Sequence, residues 1–494
     1  MIRIGGWLSS LIAVLPMGLL LALTSVPLIF LVGHVSAREI AIDWSALWRT
    51  IRFAAGGAAI STIVGAALGI LAGTREYPGR RWLFAVSIGP IAAPPAFWWI
   101  GAARLTAQWG NVAGPAAAAL VGGLALSPVT LLLVFAALRQ MPSNVYEAAR
   151  IALPGVARIR IVLLPLLRSS LAGAFVLTLI LLLGESELPF LFGFRTLMTD
   201  VVTAFSQTFD VSRTLPFVLP LLFVIVVLGV LVAKPLLQAV LASSRGSHGI
   251  RRRRGSVLLS VGAAMPAACL LISLSGYALP VFAGLGAWKG ASIDFTTVAV
   301  SIIEPVASAW IAILLTLVTA YPARRSRMLP YVLWAGLLLF CVPAAIYAIG
   351  WIATGLRLGG FSVPPVVAYT SRTIALGMLG FGIGYARLPA SLENAARLVQ
   401  ISPIRRAFVF ILPLIAASLM ASSALAAALI YADRDVASLL LAPGASRLTL
   451  NLYLASANAP SSLIGVLAFA ALGGATMTVI LAAAGPAVLW RRRV

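Results

Sequence analysis

Apolar runs long enough to cross a membrane recur along the whole of this 494-residue chain. A spanning helix takes about 20 apolar residues, because each residue rises about 1.5 Å through a hydrocarbon core about 30 Å thick. We therefore predict about twelve spans, which lie near residues 7–33, 51–73, 82–103, 114–138, 168–193, 214–240, 257–283, 297–320, 329–352, 364–385, 410–432 and 461–488. The first run is too long for the apolar part of a cleaved signal peptide, so we expect it to be a span.

The chain also lacks the polar surface that water would require. Its residues are 61% hydrophobic and 10% charged, whereas a soluble globular domain carries about 25% charged residues. Lipid must therefore be its solvent. We expect an all-α integral membrane protein that crosses the bilayer many times.

The basic residues indicate how the chain is oriented. The net charge is +23, and most arginines fall in loops that share one side of the membrane if the N-terminus lies inside, for example Arg80, Arg81, Arg139 and the runs 251–254 and 491–493. Cytoplasmic loops carry such an excess of Lys and Arg. We predict cytoplasmic N- and C-termini, with membrane lipid as a contact and no nucleic acid as a partner.

No residue pattern in the sequence points to catalysis or to a bound cofactor. The sequence has no GxxxxGK[ST] loop with which to hydrolyse ATP. Cys269 and Cys341 both lie within apolar runs, and neither they nor His34 and His248 have the spacing of a metal site. We predict that the chain is not an enzyme and holds no metal or other cofactor of its own.

A polar linker divides the chain into two parts of similar length. Residues 242–255 read ASSRGSHGIRRRRG, and a like-charge block flanked by Gly and Ser is typical of a loop. We predict two tandem halves of about six spanning helices each, 1–241 and 256–494, joined by this basic cytoplasmic linker.

One basic, amphipathic segment occurs once in each half. The first copy reads YEAARIALPGVARIRIVLLPLL from Tyr146, and the second reads LENAARLVQISPIRRAFVFILPLI from Leu392. Both contain Ala-Ala-Arg, a break with proline, a pair of arginines and a final Leu-Pro before the next apolar run. Proline disfavours the helical conformation in the residue before it. Each copy therefore predicts a short helix, a sharp turn (153–155 and 401–403) and a second helix that enters the membrane.

These paired segments resemble the cytoplasmic coupling segments of the membrane subunits of type I ATP-binding-cassette (ABC) importers. The family pattern is Glu-Ala-Ala, three residues, Gly, nine residues and Ile-x-Leu-Pro, and the corresponding regions here are 143–165 and 390–413. Leu153 and Gln400 stand at the positions of the family's Gly. The resemblance assigns contact with an ATPase to Glu147, Ala148, Ala149, Arg150, Gly155, Leu164 and Pro165 of the first copy. In the second copy it assigns this contact to Glu393, Asn394, Ala395, Ala396, Arg397, Leu412 and Pro413, with Asn394 where the family has Glu.

The resemblance implies the permease fold of a type I ABC importer in a bacterial cytoplasmic membrane. It also implies two copies of a separate cytoplasmic ATPase, which would bind ATP and Mg²⁺, and a periplasmic or extracellular substrate-binding protein. The runs 184–194 and 432–444 look like segments of fused ferric-iron and thiamine permeases. The implied substrate is ferric iron, thiamine or a similar small solute, while polyamines, phosphonates and sulfate-like anions stay open.

Four ionisable residues in or near the spans are candidates for contact with a transported substrate: Glu185, Glu187, Glu304 and Arg372. Charge is costly within a bilayer, so an intramembrane ionisable group is a functional candidate. The alternative for the glutamates is contact with interfacial water, and for Arg372 it is a structural pairing. We expect Trp98 and Trp99 to be anchors at the membrane interface.

Two other classes of protein stay open. An ion-coupled secondary transporter of twelve helices accounts for the length, the repeat and the topology, but not for the paired Ala-Ala-Arg to Leu-Pro segments. A membrane-embedded enzyme of lipid chemistry would need clustered acids and histidines in a loop. The nearest such sequence is Asp433-Arg434-Asp435.

Overall fold

A computed structural model describes residues 2–33, 42–76, 93–106, 113–141, 143–242, 294–324, 329–358, 361–362, 364–386, 407–442 and 444–491, together with a few isolated positions between these ranges. We refer to residues 2–242 as the N-terminal part and to residues 294–491 as the C-terminal part. The described residues of both parts are almost entirely helical.

The N-terminal part contains nine helices: α1 (Ile2–Gly33), α2 (Trp44–Thr74), α3 (Pro95–Thr106), α4 (Pro115–Gln140), α5 (Ser143–Ala152), α6 (Gly155–Leu183), α7 (Glu187–Leu191), α8 (Leu197–Thr208) and α9 (Leu215–Ala242) among its described residues. A 3₁₀ turn at Ser212–Thr214 precedes α9. A strand, β1 (Arg75–Glu76), pairs in parallel with β2 (Arg253–Arg254).

The C-terminal part contains eight helices in its described ranges: α10 (Phe295–Ala323), α11 (Leu329–Phe340), α12 (Ala344–Ala353), α13 (Pro365–Ala386), α14 (Ala407–Ala432), α15 (Asp435–Leu440), α16 (Leu448–Asn458) and α17 (Ser461–Arg491). Two short strands, β3 (Arg357–Leu358) and β4 (Phe361–Ser362), form an antiparallel pair.

Nine of the described helices are long and apolar enough to cross a membrane, or ten if the bent pair α11 and α12 counts as one span. The prediction of an all-α, multi-pass membrane protein is therefore confirmed. The predicted span at 257–283 lies outside the described residues, and within the predicted span 82–103 the structure describes the short helix α3 and little else.

Two predicted spans are not continuous helices. The span predicted at 329–352 breaks between α11 and α12, which meet at an angle of 89°. Pro343 causes the break, because its ring excludes the helical conformation at Val342 and it has no N–H to donate. The span predicted at 168–193 was also wrong. Its helix α6 begins earlier, at Gly155, and ends at Leu183, after which the chain turns into the short helix α7.

Small residues let the spanning helices approach closely. A Cβ atom added to Gly123 of α4 would lie 2.5 Å from the carbonyl oxygen of Gly57 in α2 and 2.8 Å from Cβ of Ile60. Helices in lipid associate through van der Waals packing, since lipid tails are as apolar as the side chains. Glycine at this contact therefore supplies the close fit on which the α2–α4 pair depends.

The largest cluster of buried apolar side chains draws on both parts of the chain. It contains Phe53, Phe97 and Phe192 from the N-terminal part together with Tyr347 and Leu448 from the C-terminal part. The two parts therefore share a core, and the site described below lies beside it.

Several local structures recur in the two parts. The start of α6 contains a π turn at Ile159–Leu163, directly before Leu164 and Pro165, and α14 begins with a π turn at Ala407–Ile411, directly before Leu412 and Pro413. Proline removes one backbone donor and its ring crowds the carbonyl four residues earlier. The backbone adapts by changing from i to i−4 hydrogen bonds to the i to i−5 spacing of a π turn, in which Leu164 N donates to Ile159 O.

A side-chain hydrogen bond recurs in the same way. Thr50 Oγ1 in α2 accepts from Leu197 N at the start of α8, at 2.9 Å. In the C-terminal part, Ser301 Oγ in α10 accepts from Leu448 N at the start of α16, at 2.8 Å. Both bonds satisfy one of the N–H groups that the first turn of a helix leaves unpaired.

Candidate functional site

The ends of α6 and α14 meet at a cavity of about 160 Å³ between the two parts of the chain. Its walls include residues of α3, α4, α7, α12, α13 and α15. Six charged residues line it: Glu185, Glu187, Arg372, Asp433, Arg434 and Asp435. Three of them were predicted as candidates for substrate contact, and the structure brings these three together.

Two of the acids are held in place as caps of short helices. Glu185 Oε1 accepts hydrogen bonds from the backbone N–H groups of Glu187 (2.9 Å) and Leu188 (3.2 Å), at the start of α7. Asp433 Oδ1 accepts from Val436 N (2.9 Å), at the start of α15. A carboxylate before a helix satisfies free N–H groups and faces the positive end of the helix dipole. The chain therefore positions one capping acid on each side of the cavity.

A buried polar bridge joins the two parts at the cavity. Ser186 Oγ lies 2.6 Å and 2.8 Å from the two carboxylate oxygens of Asp435 and donates its proton to this group. Arg434 Nη2 donates to Asp435 Oδ1 (2.7 Å) and to Ser186 Oγ (3.1 Å). The Arg434 guanidinium also lies 4.1 Å from the centre of the Tyr453 ring. Arg434 and Asp435 thus neutralise each other.

Glu187 is the most deeply buried acid of the cavity, with 3% of its surface exposed. Its Oε1 accepts a hydrogen bond from Ala96 N in the first turn of α3, at 3.0 Å. Within the described chain, no group donates a hydrogen bond to its second oxygen. Glu187 itself lines the cavity.

Two glutamates of the cavity have raised pKa values, and burial is the main cause. The pKa of Glu185 rises to about 7, with Asp435 adding to the effect. The pKa of Glu187 rises to about 8, although the charge of Arg434 opposes the shift. Removal from water disfavours the charged form of a carboxyl group. These carboxyl groups therefore gain and lose protons near neutral pH.

Arg372 extends from α13 to the break between α11 and α12. Its Nε donates to Val342 O at 3.1 Å, and its guanidinium lies 5.2 Å from the centre of the Phe340 ring. Because Pro343 ends α11, the carbonyl of Val342 lacks a helical partner, and Arg372 supplies one. Arg372 therefore holds the broken span in shape and also lines the cavity.

Glu304 does not line the cavity. It lies in α10, where one of its oxygens is 3.6 Å from Nε of Arg447. Arg447 is 1% exposed and donates from Nη1 to the Tyr369 hydroxyl at 2.7 Å. This cluster is a buried structural contact between α10, α13 and the start of α16.

The first copy of the amphipathic segment has the structure that the sequence predicted. Helix α5 ends at Ala152, the chain turns at Leu153 and Pro154, and α6 begins at Gly155. The turn between α5 and α6, the corner, is held in place by packing, because Tyr146 of α5 and Leu163 of α6 lie with Met141 in a buried cluster. The Arg158 guanidinium lies 5.5 Å from the centre of the Tyr146 ring.

Apolar side chains project from this corner. We name the exposed residues Ile151, Val156 and Ile161 the corner surface; Ile151 is 86% exposed and Val156 is 81% exposed. They lie beside the exposed Arg150 and Arg160. The corner surface therefore combines apolar and basic groups.

The remaining residues of the family pattern differ in their exposure. Ala148, Gly155, Leu164 and Pro165 are exposed, Glu147 is half-buried and Ala149 is buried. In the second copy Leu412 is buried and Pro413 is half-buried. Glu393, Asn394, Ala395, Ala396 and Arg397 lie outside the described residues.

Sequence reasoning missed four residues of the cavity. Asp433, Arg434 and Asp435 were considered only for an enzyme, although aligning the two halves places them opposite Glu185, Ser186 and Glu187. Trp98 was expected at the membrane interface, but it is 3% exposed and lines the cavity. Its position follows from Pro95, which starts α3 at the cavity wall.

Among the residues that the structure describes, no group of three or more His, Cys, Asp and Glu side chains is arranged to hold a metal ion.

Comparisons of the chain with protein-family models, with curated proteins and with solved structures found no match.

Proposed function

We propose that this chain is the membrane subunit of an ATP-driven ABC importer, which forms the path of a small solute and is moved by separate ATPase subunits. The observation that carries the proposal is the corner surface. An apolar group such as Ile151, fully exposed beside arginines on a short helix outside the spans, fits the binding surface of a partner protein better than it fits water.

The connection between the corner surface and the cavity supports a mechanical role. Helix α6 runs from Gly155 at the corner to Leu183 at the cavity, a length of about 42 Å. Helix α4 runs beside it, with Leu138 near the corner and Gly122 at the cavity. A partner that moves the corner would move the cavity wall as a rigid body.

In this proposal the energy comes from ATP and Mg²⁺ bound by two copies of a cytoplasmic ATPase, one for each coupling segment. A substrate-binding protein outside the bacterial cytoplasmic membrane would deliver ferric iron, thiamine or a similar small solute. The chain itself would contribute the path and the two docking sites, and no chemistry.

The test is co-purification of the chain with the ABC ATPase encoded beside its gene. Wild-type chain is expected to retain the ATPase through affinity purification and to support ATP hydrolysis. Ile151→Asp is expected to weaken the retention about tenfold or more, because a charge would be buried in the interface. The matched control is Phe209→Asp, which also changes an exposed apolar residue (78% exposed) outside the spans. Equal retention of the ATPase by Ile151→Asp and wild type would contradict the proposal.

A second function, an ion-coupled secondary transporter, is favoured by one observation. Glu185, Glu187 and Asp433 form an acidic group at the cavity between the two parts of the chain, and such groups carry coupling ions in secondary transporters. Uptake by the purified chain alone in liposomes, driven by a proton or sodium gradient, would support this function and exclude the first.

A further inference from the structure

The charges that line the cavity are unequally neutralised. Arg434 is paired with Asp435, and the Nε donor of Arg372 is used by the carbonyl of Val342. Glu185, Glu187 and Asp433 make no ion pair with any described residue. Three carboxyl groups therefore face the cavity with only one guanidinium that is not already paired with a carboxylate.

Among these three carboxyl groups, Glu187 is the one best placed to bind a ligand. Its side chain is buried and lines the cavity, Ala96 N donates to one of its oxygens, and no described residue donates a hydrogen bond to the other oxygen. A ligand in the cavity that donates an N–H group would pair with this oxygen.

The other walls limit the ligand further. Trp98, Leu188 and Leu429 line the cavity, so part of the ligand surface meets apolar groups. A cation is attracted to the face of an indole ring as well as to carboxylates. A bare metal ion would need three or more protein ligands in one place, and the described residues provide no such set.

We propose that the cavity is a binding site for a compact organic cation that carries N–H donors, an ammonium or amidinium group, which Glu187 holds with an apolar body against Trp98. The role of this cation as the transported solute rests on the proposed function. The binding itself does not, because every residue that lines the cavity belongs to this chain.

An anion fits the same cavity poorly. The guanidinium of Arg434 already lies against Asp435 at 2.7 Å. An anion beside Arg372 would also lie near the carboxyl group of Asp433, which interacts electrostatically with Arg372, and like charges repel. The charge of the ligand that binds most tightly therefore tests the proposal.

The experiment uses three probes of matched shape: benzamidinium, neutral benzamide and anionic benzoate. Each is titrated calorimetrically into the full chain in lipid nanodiscs, without ATPase. Wild-type chain is expected to bind benzamidinium at least about tenfold more tightly than benzamide or benzoate. Glu187→Gln keeps the shape and removes the charge, so it is expected to remove most of this preference.

Glu304→Gln is the matched control, since it neutralises another partly buried acid that does not line the cavity. It is expected to leave the preference for benzamidinium unchanged. Equal binding of benzamidinium and benzamide, preference for benzoate, or no binding of benzamidinium to folded wild-type chain would each overturn the proposal. Loss of the preference in both variants would also overturn it, because a general loss of structure would explain the result. A chain that binds the cation but retains no ATPase would overturn the proposed function and leave this inference standing.

Discussion

Glu187 shows how one side chain serves both the fold and the site. One of its oxygens accepts a hydrogen bond from Ala96 N at the start of α3, and the residue lines the cavity. Burial raises its pKa, and Glu185 and Asp435 add to the shift while Arg434 opposes it. Below a pH of about 8 the protonated form of Glu187 is therefore favoured, and a bound cation would favour the ionised form.

We expect the affinity for benzamidinium to increase as the pH rises from about 6 to about 9 and then to level off, because Glu185 and Glu187 lose protons with pKa values of about 7 and about 8. The amidinium group stays protonated throughout this range. Calorimetry at stepped pH measures the change, and Glu187→Gln is expected to flatten it. A pH-independent affinity in wild type would contradict a role for these acids in binding.

The same shifts affect stability in the opposite direction. Between the ordinary pKa of a glutamate, near 4.5, and the raised values, the folded chain holds protons that the unfolded chain has released. The free energy of unfolding is therefore expected to fall as the pH rises through this window. Thermal unfolding in nanodiscs at stepped pH checks the sign, and Glu187→Gln is expected to reduce the slope. A stability that rises with pH across the window would contradict the buried, protonated state.

Gly155 is conformationally ordinary despite its place in the family pattern. A Cβ atom there would meet nothing within 4 Å, and its φ is not positive. Gly155→Ala is therefore expected to stabilise the chain by about 0.4–1 kcal/mol, by reducing the freedom of the unfolded state. Gly193→Ala is the contrasting variant. Its φ of 73° makes a cost of about 1–2 kcal/mol the expected result. Thermal unfolding of both variants measures the difference, and a loss of stability in Gly155→Ala would contradict it.

At the scale of elements, hydropathy located most of the described spans, but it missed a bend within one of them and misplaced both ends of another. Hydropathy identifies a run of apolar residues but does not register a bend within it. The run 329–352 is apolar on both sides of Pro343, so its hydropathy does not indicate the 89° bend that the structure shows there. The turn at Leu153 and Pro154 was predictable, because proline there is flanked by charge and not by an apolar run.

The pair α2 and α4 gives a prediction at this scale. Gly123→Ala places a methyl group 2.5 Å from the Gly57 carbonyl oxygen, so the helices must separate, at a cost of about 1–3 kcal/mol. Gly473→Ala in α17 is the matched control, since a Cβ atom there meets nothing within 4 Å. The monodisperse fraction after heating, read by size-exclusion chromatography, is expected to fall for Gly123→Ala alone. Equal loss in both variants would contradict the close-packing argument.

At the scale of the whole molecule, the repeat in the sequence carries information about the site as well as about the spans. Aligning Glu185 and Glu187 with Asp433 and Asp435 would have predicted that both pairs face one site. The site has more carboxyl groups than arginines that are free of a carboxylate partner. Which acid pairs with which arginine depends on the folded structure, so the sequence alone does not predict this excess of negative charge. The separation of Glu304 from the cavity is a second fact that spacing along the chain does not reveal.

We propose that an ATPase binds at one end of α6 and a solute at the other. Native mass spectrometry of the chain, coexpressed with the ABC ATPase encoded beside its gene and released from nanodiscs, tests this most directly. We expect a mass equal to one 51.6 kDa chain plus two ATPase copies, and loss of ATPase from the Ile151→Asp variant. A chain that appears only at its own mass, while it takes up solute in liposomes under an ion gradient, would contradict the proposal.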